Sequence, residues 1–213
     1  MQDELFLKQI ELGPMMNFIY LVGSRSQGEA AVVDPGWEPE AIVSAAEAEG
    51  LKITKVLLTH CHQDHILSLG ALLNRVDVPV YVNKYEAPHI RRIAPDAVAV
   101  DSGDDIELGH LTIRCLHTPG HSPGSQCFVV ENLLLSGDTL FVGSCGRCDL
   151  PDSSPEDLYH SLQSLAKMDG DTLVLPGHNY GPRPTTTIED ECRYNPYLRI
   201  PTLEMWLRMM GYP

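Results

Sequence analysis

Apolar and polar positions change their spacing along this chain so that short strands and helices alternate. Leu5 to Ile10, Phe18 to Val22 and Ala30 to Val33 are predicted strands, separated by Gly13-Pro14, a Gly23 to Gly28 turn and Asp34-Pro35-Gly36. From Glu38 to Glu49 the spacing becomes helical, with Ile42, Val43, Ala45 and Ala46 on one side and Gly50 as the stop. Ile53 to Leu58 is predicted as a buried strand. Ile66, Leu69, Leu72 and Leu73 then predict a helix from Ile66 to Asn74. Val78 to Val82 reads as a strand and Tyr85 to Ile93 as a short helix. Ala97 to Leu135 is a series of strands broken by Gly103, Gly109, Gly120 and Asn132. Ser154 as a cap and Pro155 in a first turn open a helix that runs to about Lys167. Thr172 to Leu175 is the last predicted strand, and Thr186 to Tyr194 and Leu203 to Met210 are predicted helices. Clustered strands with helices between and after them predict an α/β (α+β) fold, an αββα four-layer sandwich of two mixed sheets. No linker interrupts it, so residues 1–213 are expected to form a single domain.

Four of these apolar runs end in side chains that bind metals. Ile53 to Leu58 leads into Thr59-His60-Cys61-His62-Gln63-Asp64-His65, and Ile113 to Leu116 into His117-Thr118-Pro119-Gly120-His121. Leu133 to Leu135 leads into Ser136-Gly137-Asp138, and Leu173 to Leu175 into Pro176-Gly177-His178. Strands that end together set the side chains just beyond them on one rim. His60 and His62, two apart on an extended loop, share a face, whereas Asp64 and His65 lie where the loop turns into a helix and face a neighbouring position. This division suits two divalent transition metals. One would be held by His60 and His62 and the other by Asp64 and His65. His121 and His178 would each complete one set, and Asp138 would bridge both. Imidazole and carboxylate donors suit zinc, the expected metal, and also iron or manganese. His89, His110, His117 and His160 lack this context and read as structural.

Charge narrows the partners. A formal net charge of −14 disfavours general binding to nucleic acid or to an anionic membrane surface. No apolar run approaches the roughly 18 residues of a membrane span. The start, Met1-Gln2-Asp3-Glu4, has no apolar core of signal-peptide length. Six scattered cysteines read as reduced thiols rather than a disulfide frame, and with these features the expected location is cytoplasmic.

The run His60-Cys61-His62-Gln63-Asp64-His65, followed by His121, Asp138 and His178, resembles the metallo-β-lactamase superfamily over the stretch from Asp34-Pro35-Gly36 to Asn195-Pro196. Within that superfamily the chain is similar to the glyoxalase II-like and persulfide dioxygenase-like branch. The similarity rests on Ser136 to Phe141, Cys145-Gly146-Arg147-Cys148-Asp149-Leu150-Pro151, Leu158 to Ser161, Pro176 to Tyr180 and Thr187 to Pro196. True β-lactamases of the superfamily resemble it less, because Asp138 stands where they have a cysteine or serine pattern.

The resemblance implies a metal-dependent hydrolase that uses a metal-activated water, oriented by Asp64, on thioesters such as hydroxyacylglutathione. Asp138 would take part in the chemistry with Asp64. The alternative is a mononuclear Fe(II) glutathione persulfide dioxygenase, with iron on His62 or His60, His121 and Asp138. A non-catalytic scaffold is the third reading. Two full donor sets favour the hydrolase. Glyoxalase II enzymes carry a long C-terminal helical domain, whereas only 35 residues, 179 to 213, follow His178 here. Arg147 is the expected clamp for a substrate carboxylate, with a salt bridge to Asp149 or Asp152 as its structural alternative. Cys148 and Leu150 depart from the threonine or serine and the phenylalanine usual in the dioxygenase branch. Tyr180 is expected to aim its hydroxyl into the cleft. Cys145 and Cys148 read as packing groups rather than a redox pair. Met205, Trp206, Leu207, Met209 and Met210 read as core or as the contact of a possible homodimer.

Overall fold

Fourteen strands and seven helices occupy the residues 5–212 that the computed structural model describes; Met1 to Glu4 lie outside them. In chain order they are β1 (Leu5–Leu12), β2 (Asn17–Ser24), β3 (Glu29–Val33), α1 (Pro39–Glu47), β4 (Lys52–Leu57), α2 (Gln63–Ile66), α3 (Leu69–Leu73), β5 (Val80–Asn83), α4 (Ala87–Ile90), β6 (Val98–Val100) and β7 (Asp105–Leu108). There follow β8 (Leu111–His117), β9 (Gln126–Val130), β10 (Leu133–Gly137), β11 (Leu140–Phe141), β12 (Ser144–Cys145), α5 (Pro155–Leu165), β13 (Leu173–Pro176), β14 (Thr186–Thr187), α6 (Ile188–Tyr194) and α7 (Leu203–Met209).

The layering follows from strand alternation. Ile19 and Leu21 of β2 and Ala30 and Val32 of β3 point outward and pack against Ile42, Ala46, Leu69, Leu72 and Ile90 of the helices. Their neighbours Phe18, Tyr20, Val22, Ala31 and Val33 point inward and meet Ile113, Phe128, Val130 and Leu135 of the second sheet. The far face of that sheet, with Cys127, Leu134 and Val174, is covered by Leu158, Leu162, Leu165, Ile188 and Trp206. Both faces of each sheet are therefore apolar, and the result is the predicted αββα sandwich.

The first sheet has the order β1-β2-β3-β4-β5-β6, antiparallel through β3 and parallel from β3 to β6. The second has the order β14-β13-β10-β9-β8-β7. Because β8 and β10 each run antiparallel to β9, and β10 runs parallel to β13, the three strands β8, β10 and β13 end at the same rim. The first sheet is tied to that rim by four bonds. Gln126 N and Nε2 donate to Thr59 O (2.9 Å) and Leu58 O (2.8 Å), and Phe18 N and Tyr20 OH donate to Gly177 O (2.8 Å) and Pro176 O (2.6 Å). β4 thus delivers its following loop to the same place.

Three predicted elements differ from the structure. The single helix from Ile66 to Asn74 is two short pieces, because Ser68 leaves helical geometry at ψ 2° between α2 and α3. Within Tyr85 to Ile93 only Ala87–Ile90 is helical; Tyr85 N is taken by the Asn83 side chain at 3.1 Å instead of a helical carbonyl. Thr172 to Leu175 is not the last strand. Thr186–Thr187 pairs antiparallel with β13, and Thr187 Oγ1 then caps α6 by accepting from Asp190 N. Ser154 caps α5 as expected, accepting from Asp157 N at 3.1 Å. No helix among the described residues is long and apolar enough to cross a membrane.

Candidate metal centre

All seven predicted donors converge at the rim. His60 Nε2 lies 3.1 Å from His62 Nδ1, which lies 2.9 Å from His121 Nε2. These three ring nitrogens form a first triad. His65 Nε2 lies 3.2 Å from His178 Nε2, and Asp64 Oδ2 is 3.4 and 3.3 Å from those two atoms, which makes a second triad. Asp138 stands between the triads. Its Oδ1 is 3.4 Å from His65 Nε2, and its Oδ2 is 3.5 Å from His121 Nε2 and 3.4 Å from His178 Nε2.

Four of the five imidazoles are fixed by the nitrogen that faces away from the rim. His65 Nδ1 donates to Asp34 Oδ2 (3.0 Å), His121 Nδ1 to Arg147 O (2.8 Å) and His178 Nδ1 to Met15 O (2.9 Å). The Thr59 hydroxyl gives its own proton to Asp34 Oδ2, so at 3.1 Å it accepts from His60 Nδ1. Each bond sets the tautomer and leaves Nε2 free for a proton or a cation. Asp138 Oδ1 is buried and has no hydrogen-bond partner. Ring nitrogens crowded within 3.2 Å of one another, beside an orphaned carboxylate oxygen, are a poor arrangement for a dry core and a good one for divalent cations. The donor set fits two metals.

The electrostatics divide the triads. Burial, reinforced by His65, holds His60 well below the ordinary imidazole value, and burial with His121 lowers His62. Burial also opposes a charge on His65 and His178, but carboxylates outweigh it. Asp138 and Asp34 hold His65 well above its usual value, and Asp138 and Asp64 hold His178 at about 9. Burial would raise Asp138 and Asp64, yet His65 and His178 keep both below the usual carboxylate range. Before a metal arrives, the second triad therefore carries protons that a cation must displace.

Sequence reading missed the residues that hold these donors in place. Asp34, read only as a turn residue, is buried and accepts from Thr59 N (2.7 Å), Thr59 Oγ1 (2.6 Å) and His65 Nδ1. Asn17, just before the predicted strand Phe18 to Val22 and not singled out in the sequence, is also buried. Its Nδ2 donates to Asp64 Oδ2 at 2.8 Å, and its Oδ1 accepts from Trp37 Nε1 at 2.9 Å. Asn17→Ala is expected to weaken metal affinity at the second triad by roughly 10- to 100-fold while sparing the first. Stoichiometric metal titration followed by elemental analysis checks this; two equivalents bound with native affinity would exclude the role.

Arg147 and Tyr180 both line the cleft of about 420 Å³ over the donors, together with Met15, Phe141 and Leu150. The Arg147 guanidinium is 68% exposed and forms a fork on Asp149, with Nε to Oδ1 at 2.9 Å and a terminal nitrogen to Oδ2 at 3.0 Å. The structural alternative read for Arg147 is thus the pairing present. Tyr180 stacks on His178, with ring centroids 4.5 Å apart and planes 9° from parallel. Cys145 and Cys148 are free and buried; burial pushes the Cys145 thiol up to about 12 and raises Cys148 as well, so neither offers a thiolate at neutral pH. In the C-terminal group Trp206 is core, whereas Met205 and Met209 are exposed.

Known proteins carry related sequences. A probable polyketide biosynthesis zinc-dependent hydrolase, BaeB of Bacillus velezensis, is 31% identical over 86% of this chain and 82% of its own length. The human mitochondrial persulfide dioxygenase ETHE1 is 30% identical over 97% of this chain and 81% of its own. A hydroxyacylglutathione hydrolase of Xanthomonas euvesicatoria is 38% identical, over 73% of this chain and 58% of its own. Among solved structures, ETHE1 of Myxococcus xanthus superposes with a TM-score of 0.89 at 31% identity, covering 97% of this chain and 90% of that one. TTHA1623 in a di-iron-bound form gives 0.78 at 32% identity, covering 89% and 99%. BLEG-1, a B3 metallo-beta-lactamase, gives 0.80 at 32%, covering 91% and 99%, so a β-lactamase is among the structural neighbours despite Asp138. The relatives match the expected glyoxalase II-like and persulfide dioxygenase-like branch. A family model for the metallo-beta-lactamase superfamily matches residues 12–178, a span that holds all seven donors, and the chain belongs to that superfamily.

Proposed function

We propose that this chain is a binuclear metal-dependent hydrolase that cleaves thioesters of the hydroxyacylglutathione type. The observation that carries the reading is the pair of complete triads sharing Asp138, since a hydrolase can use two metals. Zinc is the expected metal, and the di-iron-bound neighbour supports iron as an alternative. Two cations held there supply Lewis acidity that polarises a carbonyl and makes water a nucleophile near neutral pH. The protein's own residues do the rest. Asp64, with 16% of its side chain exposed, is steadied by Asn17 and orients the attacking water. Asp138 keeps the triads at a fixed separation. Arg147 exchanges Asp149 for a carboxylate on the thiol half of the substrate, and Tyr180 closes the cleft beside His178. A thiolate leaves with little acid assistance, in keeping with a site whose Asp64 and Asp138 carboxyls are both held below the usual carboxylate range. The reading includes a cytoplasmic location, in keeping with six unpaired cysteines, and a small-molecule substrate.

The similarity to a persulfide dioxygenase over 97% of this chain favours one second reading, in which His62 or His60, His121 and Asp138 would hold a single Fe(II) that would supply O₂ chemistry for the oxidation of glutathione persulfide. One paired assay separates the two. Zinc- and iron-loaded protein are each given S-lactoylglutathione and glutathione persulfide, with thiol release and O₂ consumption followed. Thiol release by either form is expected. O₂ uptake by the iron form with negligible thioester cleavage by both would reverse the order, and failure to take up any transition metal would remove both readings.

A further inference from the structure

The two ends of the cleft differ in chemistry. Over the first triad, the main chain of Arg147 accepts from His121, and its side chain, forked on Asp149, lines the cleft with Leu150 and Pro151 following it. Over the second triad, the main chain of Met15 accepts from His178, and the surroundings are apolar. Tyr180 lies flat on the His178 ring, and the Phe141 ring stands edge-on, 6.0 Å from His178 and 5.6 Å from Tyr180. Met15 and Tyr180 remain 46% and 49% exposed, large apolar surfaces left open beside reactive groups. Apart from the metal donors, the described residues with polar side chains that line the cleft are Gln63, Arg147 and Tyr180. Arg147 is the one lysine or arginine among the described residues that line the cleft.

We propose that this end is an acyl-group pocket, formed by Met15, Phe141 and Tyr180, and that it selects thioesters whose acyl part is a larger apolar group over those of small hydroxyacids. The inference rests on the hydrolase reading, keeps its thiol half and replaces its small hydroxyacyl half with a larger apolar one; the thiol half lies toward Arg147 and the acyl half over His178. A small hydroxyacyl group would leave Met15 and the Tyr180 ring wet. A longer acyl chain covers them, and the flexible Met15 side chain can adapt to its shape. Each methylene buried there should improve the specificity constant about fourfold.

The test keeps the thiol constant and varies the acyl group. Zinc-loaded protein is assayed with the S-lactoyl, S-acetyl, S-butyryl and S-hexanoyl thioesters of glutathione. From acetyl to hexanoyl, kcat/KM is expected to climb about fourfold per methylene, with hexanoyl ahead of lactoyl by at least about tenfold. Met15→Ser and Tyr180→Ala should flatten that slope while metal content stays at the wild-type level. If thioesters are cleaved but lactoyl is preferred, or chain length has no effect, the acyl pocket is disproved and the hydrolase reading stands. If no thioester is cleaved, the hydrolase reading falls, and calorimetric titration with hexanoate, butyrate and lactate decides the pocket separately. Hexanoate binding at least about tenfold tighter than lactate, and weakened by Met15→Ser, would support it; equal binding of the three acids would overturn it.

Discussion

Asp138→Ala is expected to empty both metal positions and to lower thioester turnover on the order of a thousandfold, the rate equivalent of several kcal/mol of lost Lewis-acid assistance. Asp138 is only 8% exposed, and its two oxygens lie 3.4–3.5 Å from ring nitrogens of both triads. Without it, each triad keeps its own three donors but loses the anion between two cations that repel each other. The loss can be read without an activity assay. A metal present at a hundred times its dissociation constant stabilises the folded state by about 2.7 kcal/mol. For a domain of this size that corresponds to about 5 to 11 °C in Tm. Wild-type protein should show such a rise on addition of zinc, and Asp138→Ala should not. His178→Ala provides the contrast, because it removes a donor from the second triad alone. A zinc-dependent rise in Tm that survives Asp138→Ala would show that the carboxylate does not bridge.

Much of this site was legible in the sequence because coordination imposes a pattern. Donors must stand just beyond strands that end together, so His60, His121, Asp138 and His178 each follow an apolar run, and the two-residue spacing of His60 and His62 places them on one face. The layers were legible for a similar reason: strands covered on both sides, such as β2 and β3, have few polar positions. What escaped depends on long-range contact. Asp34 has the local signature of a turn, and nothing nearby says that its carboxylate meets Thr59 and His65, 25 and 31 residues later. Asn17 meets Asp64 across 47 residues, and Met15 lends a carbonyl to His178 across 163. β14 is two residues long and carries no alternation; only the edge of β13 makes it a strand.

Gly36 shows how one such contact can govern a metal position. A Cβ built on Gly36 would lie 1.7 Å from the Asp64 carbonyl oxygen, 2.8 Å from its carbon and 3.3 Å from His65 Cα. These are main-chain atoms and cannot rotate aside. The opposing side of the clash is fixed as well. Gly36 N donates to Asp34 O at 2.8 Å, Asp34 N donates to Leu57 O at 3.0 Å, and the Asp34 carboxylate is held by Thr59 and His65. With the β3 end anchored, an added methyl group must push Asp64 and His65 of α2, two of the three donors of the second triad. Gly36→Ala is therefore expected to cost about 3 kcal/mol, the upper part of the range for overpacking, and to lower Tm by about 6 to 12 °C. The second metal should bind at least about tenfold more weakly, while His60, His62 and His121 keep theirs, since one misplaced donor costs a metal site on this scale. Calorimetric melting together with competitive metal titration would measure both effects. A Tm within about 2 °C of wild type, less than 1 kcal/mol at this chain length, with two metals bound at native affinity, would mean that α2 yields freely and that the close approach of Gly36 does not position the second metal.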